Sequence, residues 1–144
     1  MFGIEFTSEL SFFRVSEEMR KQSVRMLRKA SFIVRHTAIE SIEATPATEP
    51  SAPGRPVHTR QRGVIKSGKN KGKQRFGQVQ RAIAFDVDSS KLNAVIGPRA
   101  SFVGQAMNAH EFGGEYRGEN YPARPTMGPA LSKSVSLFGG QLIN

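Results

Sequence analysis

Residues 16–44, SEEMRKQSVRMLRKASFIVRHTAIESIEA, carry the strongest secondary-structure signal in this chain of 144 residues. Ser16 is a suitable N-cap, and the two glutamates that follow it suit the positive end of a helix. Apolar and small side chains then recur at helical spacing and form one stripe, namely Met19, Ser23, Met26, Leu27, Ala30, Ile33, Val34, Ala38 and Ile42. The stretch therefore predicts a long amphipathic helix.

The opposite face of this helix is basic, and we interpret it as a solvated face. Its side chains are Arg20, Lys21, Arg25, Arg28, Lys29 and Arg35. A helix over 16–44 would be about 43 Å long, whereas a compact chain of this length has a radius of gyration of about 15 Å. We therefore expect the helix to kink or to project beyond the rest of the domain. Before it, Phe2, Ile4 and Phe6 alternate with other residues, and this period of two predicts a short strand.

Two consecutive segments after the helix lack the apolar spacing of packed structure. Residues 45–63, TPATEPSAPGRPVHTRQRG, contain four prolines and predict an extended connector. Residues 64–77, VIKSGKNKGKQRFG, predict a mobile loop because they are rich in Gly and Lys. No acidic residue occurs between Glu49 and Asp86. The candidate contact residues in this acid-free segment are Lys66, Lys69, Lys71, Lys73 and Arg75.

An antiparallel hairpin follows the loop. Residues 78–88, QVQRAIAFDVD, alternate between two faces and predict a strand, Ser89-Ser90-Lys91 predicts a turn, and 92–97 predicts the returning strand. A short helical turn is expected around 103–110.

A closing helix is predicted from residue 127, with Thr126 as its cap and Pro129 in its tolerated first turn. Its apolar stripe is Met127, Leu131, Val135 and Phe138, and the double glycine at 139–140 is expected to end it. The element order predicts a single α+β domain over 1–144, with the two long helices packed on a small antiparallel sheet. Residues 45–78 form its connector and loop.

Composition restricts the class of protein. Cysteine is absent, so the chain has no disulfide framework, no thiolate nucleophile and no Cys-based zinc site. The longest apolar runs are short and the start lacks the pattern of a secretory signal, so we expect the protein to stay soluble where it is made. The net charge of +9, from 21 basic and 12 acidic residues, favours a polyanionic partner, either nucleic acid or an acidic protein.

No pattern predicts an enzyme. Residues 63–70, GVIKSGKN, have the spacing of a phosphate-binding loop, but Asn70 stands where a Ser or Thr hydroxyl would bind magnesium. The three histidines, His36, His58 and His110, lack the i, i+4 spacing of a helical metal pair, and no G-x-S-x-G elbow occurs. We therefore expect no catalytic residue, no metal and no cofactor.

Three roles for the basic loop are left open: contact with nucleic-acid phosphates, contact with an acidic face of a neighbouring protein, or plain exposure to solvent. Only Phe76 is an aromatic neighbour of these cations, so stacking on single strands is not indicated by the sequence.

A family resemblance rests on residues 110–114, HEFGG, on 122–125, PARP, and on the capped helix after them. Together they resemble the signature of the tail-completion or neck proteins of long-tailed bacteriophages, the virion-morphogenesis family. The long amphipathic helix, Gly-Arg-Pro at 54–56 and Ile-Gly-Pro at 96–98 occur in the order typical of that family. Two departures are Thr126, where the family usually has a bulky apolar residue, and the lysine-rich insertion of 66–75. The motif residues are His110, Glu111, Phe112, Gly113, Gly114, Pro122, Arg124 and Pro125.

This resemblance implies a structural virion protein and no enzymatic activity. Copies of the chain would form a sixfold or twelvefold ring at the neck or as tail terminator, complete the tail, join it to the head connector and leave a channel for DNA during genome ejection. The implied location is the virion, and the host cytoplasm during assembly. An alternative from another class is a nucleic-acid-binding module that uses the Lys66–Arg75 loop.

Local chemistry suits a structural role for the motif. Gly113 and Gly114 permit backbone angles or close approaches that side chains forbid, and the prolines on either side of Ala123-Arg124 hold the chain extended. Arg124 is expected to pair with a carboxylate, either Glu111 or one in the next subunit. The connector and loop are expected to become ordered on a neighbour rather than alone.

Overall fold

A computed structural model describes residues 2–46 and 49–141, with the side chains of 15–46 and 49–138. Helix α1 spans Phe2–Ser41, 40 residues and about 60 Å. The prediction of a strand over 2–6 is wrong, because these residues belong to α1, and the helix does not begin at Ser16. A period of two over five residues is a weak signal, and no proline or glycine pair separates it from the helical pattern that follows.

A β-hairpin lies along the middle of α1. Strands β5 (Ile83–Asp88) and β6 (Asn93–Pro98) pair antiparallel, as the sequence predicts. At one end Arg35 Nε of α1 donates a hydrogen bond to the carbonyl of Ile83 at 2.8 Å, and at the other the guanidinium of Arg20 donates to the carbonyl of Ser89 at 3.1 and 3.2 Å. Arg20 and Arg35 of the basic face thus bind the hairpin, so this face is not only a solvated one. The part of α1 before Arg20 extends past it by about 27 Å.

Helix α5 (Met127–Gln141) packs on the carboxyl half of α1. Ala38 and Ile39 of α1, and Ile42 directly after it, form the buried core with Ile83 and Ala130. The hydroxyl of Ser134, which is fully buried, donates to that of Thr37 at 3.1 Å.

The predicted apolar stripe of α5 is only partly correct. Met127 packs against the core, but Leu131 and Val135 are exposed, and the buried positions are the small residues Ala130 and Ser134. Small side chains let the two helices approach closely, which leaves the larger ones outside. The helix also continues through the glycines at 139–140 instead of ending there.

The connector and loop are more regular than predicted. Strands β1 (Ala44–Thr45) and β2 (Thr59–Arg60) pair in parallel, so the ends of the connector meet and the segment between them doubles back. Strands β3 (Arg62–Val64) and β4 (Gln74–Arg75) pair antiparallel with a bulge. The connector and the loop thus contain short strand pairs that the sequence did not predict, although most of their residues lie outside regular elements.

Short elements complete the chain. Helix α2 (Gln78–Ala82) occupies the first half of the predicted strand 78–88, which corrects that prediction. Its Gln80 is buried, and the side-chain amide donates to the carbonyls of Ile39 and Ile42 at 3.3 and 3.0 Å. These carbonyls lie at the end of α1, where the last carbonyls of a helix lack the usual partner four residues on. The carbonyl of Ile39 also accepts from the N–H of Ile42 at 3.2 Å. Holding Gln80 against that end favours a helical turn over a strand.

Helices α3 (Ala100–Val103) and α4 (Ala106–Phe112) cover the helical turn expected around 103–110. They lead to a hairpin of β7 (Gly114–Tyr116) and β8 (Glu119–Tyr121). The mixture of long helices and small antiparallel sheets confirms the α+β class. In the part of the chain that the structure describes, no helix has the length and apolar character required to cross a bilayer.

Candidate functional site

Glu111, at the end of α4, caps the start of α5. Its carboxylate accepts hydrogen bonds from the backbone N–H groups of Thr126 at 2.7 Å, Met127 at 3.0 Å and Gly128 at 2.9 Å. The first N–H groups of a helix have no intrahelical partner, and a negative charge is favourable at this positive end. Glu111 therefore fixes the start of α5 against the end of α4. The carboxylate and the backbone groups that it binds are 15 to 17 positions apart in sequence.

The sequence predicted a different cap. The hydroxyl oxygen of Thr126 is buried and, among the described residues, has no hydrogen-bond partner. Local reasoning selects the residue directly before a helix, whereas the structure brings the cap from another element.

Arg124 joins the connector to the motif. Its side chain is 7% exposed, and its Nε donates to the carbonyl of Ser51 at 2.6 Å. Its backbone N–H donates to the carbonyl of His110 at 2.5 Å. The expected pairing of Arg124 with Glu111 is wrong, because each binds backbone groups of a different segment. Pairing with a carboxylate of another subunit stays a prediction, although only 7% of Arg124 is exposed.

Gly113 permits the close approach that the double glycine predicts. Its φ is +74°, and a Cβ at this position would lie 3.2 Å from the backbone nitrogen of Ala123. The carbonyl of Ala123 in turn accepts a hydrogen bond from the N–H of Gly54 in the connector at 2.8 Å. Gly114 also has a positive φ, of +122°, while Pro122 is exposed and Pro125 half-buried in the irregular segment before α5. We call α4, the β7–β8 hairpin, residues 122–125 and their contacts with the connector the motif junction.

His110 is a half-buried member of the motif junction. Its ring lies edge-on to Tyr121 with 5.0 Å between the ring centres. Burial, and after it the positive charge of Arg124, lowers the pKa of His110 below its usual 6.5. The imidazole is therefore neutral at pH 7. Within residues 2–46 and 49–141, no group of three or more His, Asp or Glu side chains is placed to hold a metal ion.

Phe112 is the large apolar residue of the motif, and it is exposed to solvent. Its side chain is 82% exposed, whereas its sequence neighbours Glu111 and Gly113 are half-buried. It lies beside a groove of about 530 Å³ between α5, β6 and α4. The groove is lined mainly by apolar groups, including Val34, Ile96, Met107, Phe112, Met127 and Leu131. An aromatic side chain next to an apolar groove is typical of a protein-protein contact.

The basic residues singled out in the sequence divide into two groups. Lys66, Lys69 and Lys71 are exposed in the turn between β3 and β4, and the next helix after Lys69 begins only at Gln78. Lys73 and Arg75 instead line a cleft of about 790 Å³ that we call the basic cleft. Its complete lining is Arg62, Ile65, Asn70, Lys73, Gln74, Arg75, Phe76 and Arg81.

Sequence reasoning missed the contributions of Arg62 and Arg81 to the basic cleft. Both lie in the acid-free segment between Glu49 and Asp86, which was the available signal. Only the β3–β4 pairing and the turn of α2 bring them beside Arg75.

No family model, curated protein or solved structure matches this chain. We therefore infer a function from the motif junction, the apolar groove and the basic cleft.

Proposed function

We propose that this chain is a structural protein of the neck or tail end of a bacteriophage virion. Copies of it form a ring that completes the tail, joins it to the head connector and leaves a channel for DNA. The proposal follows from the resemblance over residues 110–131 and from the mutual contacts of the residues that carry it.

The contacts of the motif residues favour a structural role over a catalytic one. Glu111 binds the start of α5, Arg124 binds the connector, and Gly113 allows residues 121–124 to pass close to the end of α4. Each of these three residues thus holds one segment against another. A motif of this kind is suited to presenting a fixed surface.

The exposure of Phe112 is the observation that carries the proposal. Burying a phenylalanine side chain stabilises a complex by about 2 kcal/mol, so an aromatic ring left in water at a rigid junction favours burial by another subunit. In a cyclic ring each copy uses two different surfaces, one facing each neighbour. The groove beside Phe112 supplies one of them.

Exposed apolar residues on α1 supply a candidate for the second surface. Val15 and Met19 lie on the part of α1 before its contact with the hairpin at Arg20, and Met26 lies further along the helix; each is at least 45% exposed. Insertion of this projecting helix beside Phe112 of the next copy would bury both surfaces in one heterologous contact. This arrangement also gives a reason for a helix about 60 Å long in a chain of this size.

The experiment compares two substitutions that remove exposed apolar side chains. Phe112→Ser should strongly reduce the yield of tailed, infectious particles, because it removes the aromatic anchor of the subunit contact. Val95→Ser is the matched control, since Val95 is 73% exposed on β6 and lies outside the groove lining. Equal yields for Phe112→Ser and the unaltered chain, with both proteins folded, would overturn the proposal.

A further inference from the structure

The basic cleft collects positive charge from three segments. Arg62 belongs to β3, and Arg75 belongs to β4. Lys73 directly precedes β4, and Arg81 belongs to α2. No acidic side chain lines the cleft among the described residues, and the surrounding segment from 50 to 85 contains none. The cleft is therefore a concave surface with four cations and no internal counter-charge.

The pairing of β3 with β4 places two of these cations directly opposite each other. Arg62 and Arg75 are partners in the antiparallel register. Like charges at such positions destabilise a strand pair. Among the described residues neither arginine forms an ion pair with a carboxylate that would offset the repulsion. An anionic ligand between the two guanidinium groups would convert this repulsion into two attractive contacts.

Aromatic side chains accompany the cations. Phe76 follows β4, lines the cleft and is 50% exposed. Arg81 lies over the ring of Phe102, with its guanidinium carbon 6.0 Å from the ring centre. A polypeptide with only carboxylates would gain nothing from the exposed face of Phe76, whereas a nucleobase stacks on such a face. Bases inside a duplex are already stacked, so an unpaired strand makes fuller use of this ring.

We propose that the basic cleft binds single-stranded nucleic acid. Arg62, Lys73, Arg75 and Arg81 hold backbone phosphates, and one unpaired base stacks on Phe76. The planar guanidinium groups suit phosphate oxygens because they present paired donors. The proposal goes beyond the neck assignment and does not depend on it, because it concerns the purified chain.

The test measures binding of a fluorescently labelled twelve-nucleotide oligo(dT) by anisotropy at several salt concentrations. Four phosphate contacts predict that log Kd rises with log salt with a slope of about 3, which weakens binding about 50-fold between about 50 and 200 mM NaCl. Arg75→Gln should reduce the slope by about 0.7. Phe76→Ala and Phe76→Leu should each weaken binding about fivefold or more without changing the slope, because leucine restores bulk but no ring.

Arg28→Gln is the matched control for charge. It removes the same unit of charge from an exposed side chain of α1 beside Arg20 and Ser89, at the end of the β5–β6 hairpin remote from Arg81. It should change the affinity by less than about twofold, and circular dichroism should show all variants folded.

Three results would overturn the proposal. The first is a loss of affinity in Arg28→Gln as large as that in Arg75→Gln, which would indicate a general charge effect. The second is unchanged binding in both Phe76 variants. The third is tighter binding of a duplex of the same length, or of polyglutamate, than of oligo(dT).

Discussion

Replacing Glu111 with glutamine tests the most specific contact in the motif junction. One carboxylate oxygen accepts from Thr126 and Met127, and the other from Met127 and Gly128. In Glu111→Gln one of these oxygens becomes an NH₂ group that faces a backbone N–H. One donor at the start of α5 is then unsatisfied, and the favourable charge at the positive end of the helix is lost.

The magnitude follows from these two losses. An unsatisfied, partly buried donor costs about 1 to 3 kcal/mol, and the lost charge at the helix start costs about 0.5 kcal/mol. We therefore expect Glu111→Gln to lower the free energy of unfolding by about 2 kcal/mol. With an m-value of about 2 kcal/mol/M in urea, the midpoint of unfolding should fall by about 1 M.

Urea denaturation followed by circular dichroism measures this shift, and amide exchange at Met127 and Gly128 should accelerate with it. Glu115→Gln is the matched control, because Glu115 is an exposed glutamate on β7 in the same hairpin region. Its midpoint should stay within about 0.25 M of the unaltered protein. A Glu111→Gln midpoint indistinguishable from that of Glu115→Gln would refute the assignment of Glu111 as the cap of α5.

Three further substitutions probe other contacts. Arg124→Ala should cost about 2 to 3 kcal/mol in urea and expose the connector to limited proteolysis, because the carbonyl of Ser51 loses its buried donor. Gly77→Ala should cost about 2 kcal/mol, since a Cβ would lie 1.8 Å from Oγ1 of the buried Thr59. His110→Gln should make the loss of stability below pH 6.5 less steep. In the unaltered protein the pKa of His110 is lower in the folded state than in the unfolded chain, so protonation favours unfolding.

Each of these has a control of the same type. Arg117→Ala removes an exposed arginine, Gly63→Ala adds a Cβ with no heavy atom within 4 Å, and His36→Gln removes an exposed histidine of α1. If Arg124→Ala and Gly77→Ala lose no more stability than their controls, the buried Arg124 contact and the close approach at Gly77 are contradicted. For His110, NMR titration of the imidazole with a midpoint at or above 6.5 would contradict the assigned effect of burial.

Elements with strong local periodicity could be predicted from the sequence. The carboxyl part of α1, the β5–β6 hairpin and α5 follow from the spacing of apolar residues and from the turn at 89–91. The α+β class follows from their order. Local signals failed at residues 2–6, where a brief alternation was weaker than the continuation of a helix.

Contacts between distant segments could not be predicted. Glu111 caps α5 from another element, Gln80 binds the end of α1, and Arg62 meets Arg75 across a bulged strand pair. No short sequence pattern encodes such contacts, because they depend on how distant segments fold against each other. The sequence marked Glu111, Gly113 and Arg124 as motif residues but assigned the wrong partners to Glu111 and Arg124.

The burial of side chains on α5 illustrates the same limit. Helical periodicity places Leu131 and Val135 on one stripe with Met127, and hydrophobicity alone predicts that this stripe is buried. Close packing on α1 instead selects Ala130 and Ser134, whose small side chains fit between the helices. The exposed leucine then becomes part of the groove beside Phe112.

We propose that this chain is a ring-forming component of finished virions. Quantitative mass spectrometry of purified tailed particles from cells that encode the chain, combined with cryo-electron microscopy of the neck, tests it directly. We expect six or twelve copies per particle, arranged as a ring at the junction of head and tail with Phe112 in the contact between copies. Finished, infectious particles that lack the chain would contradict it.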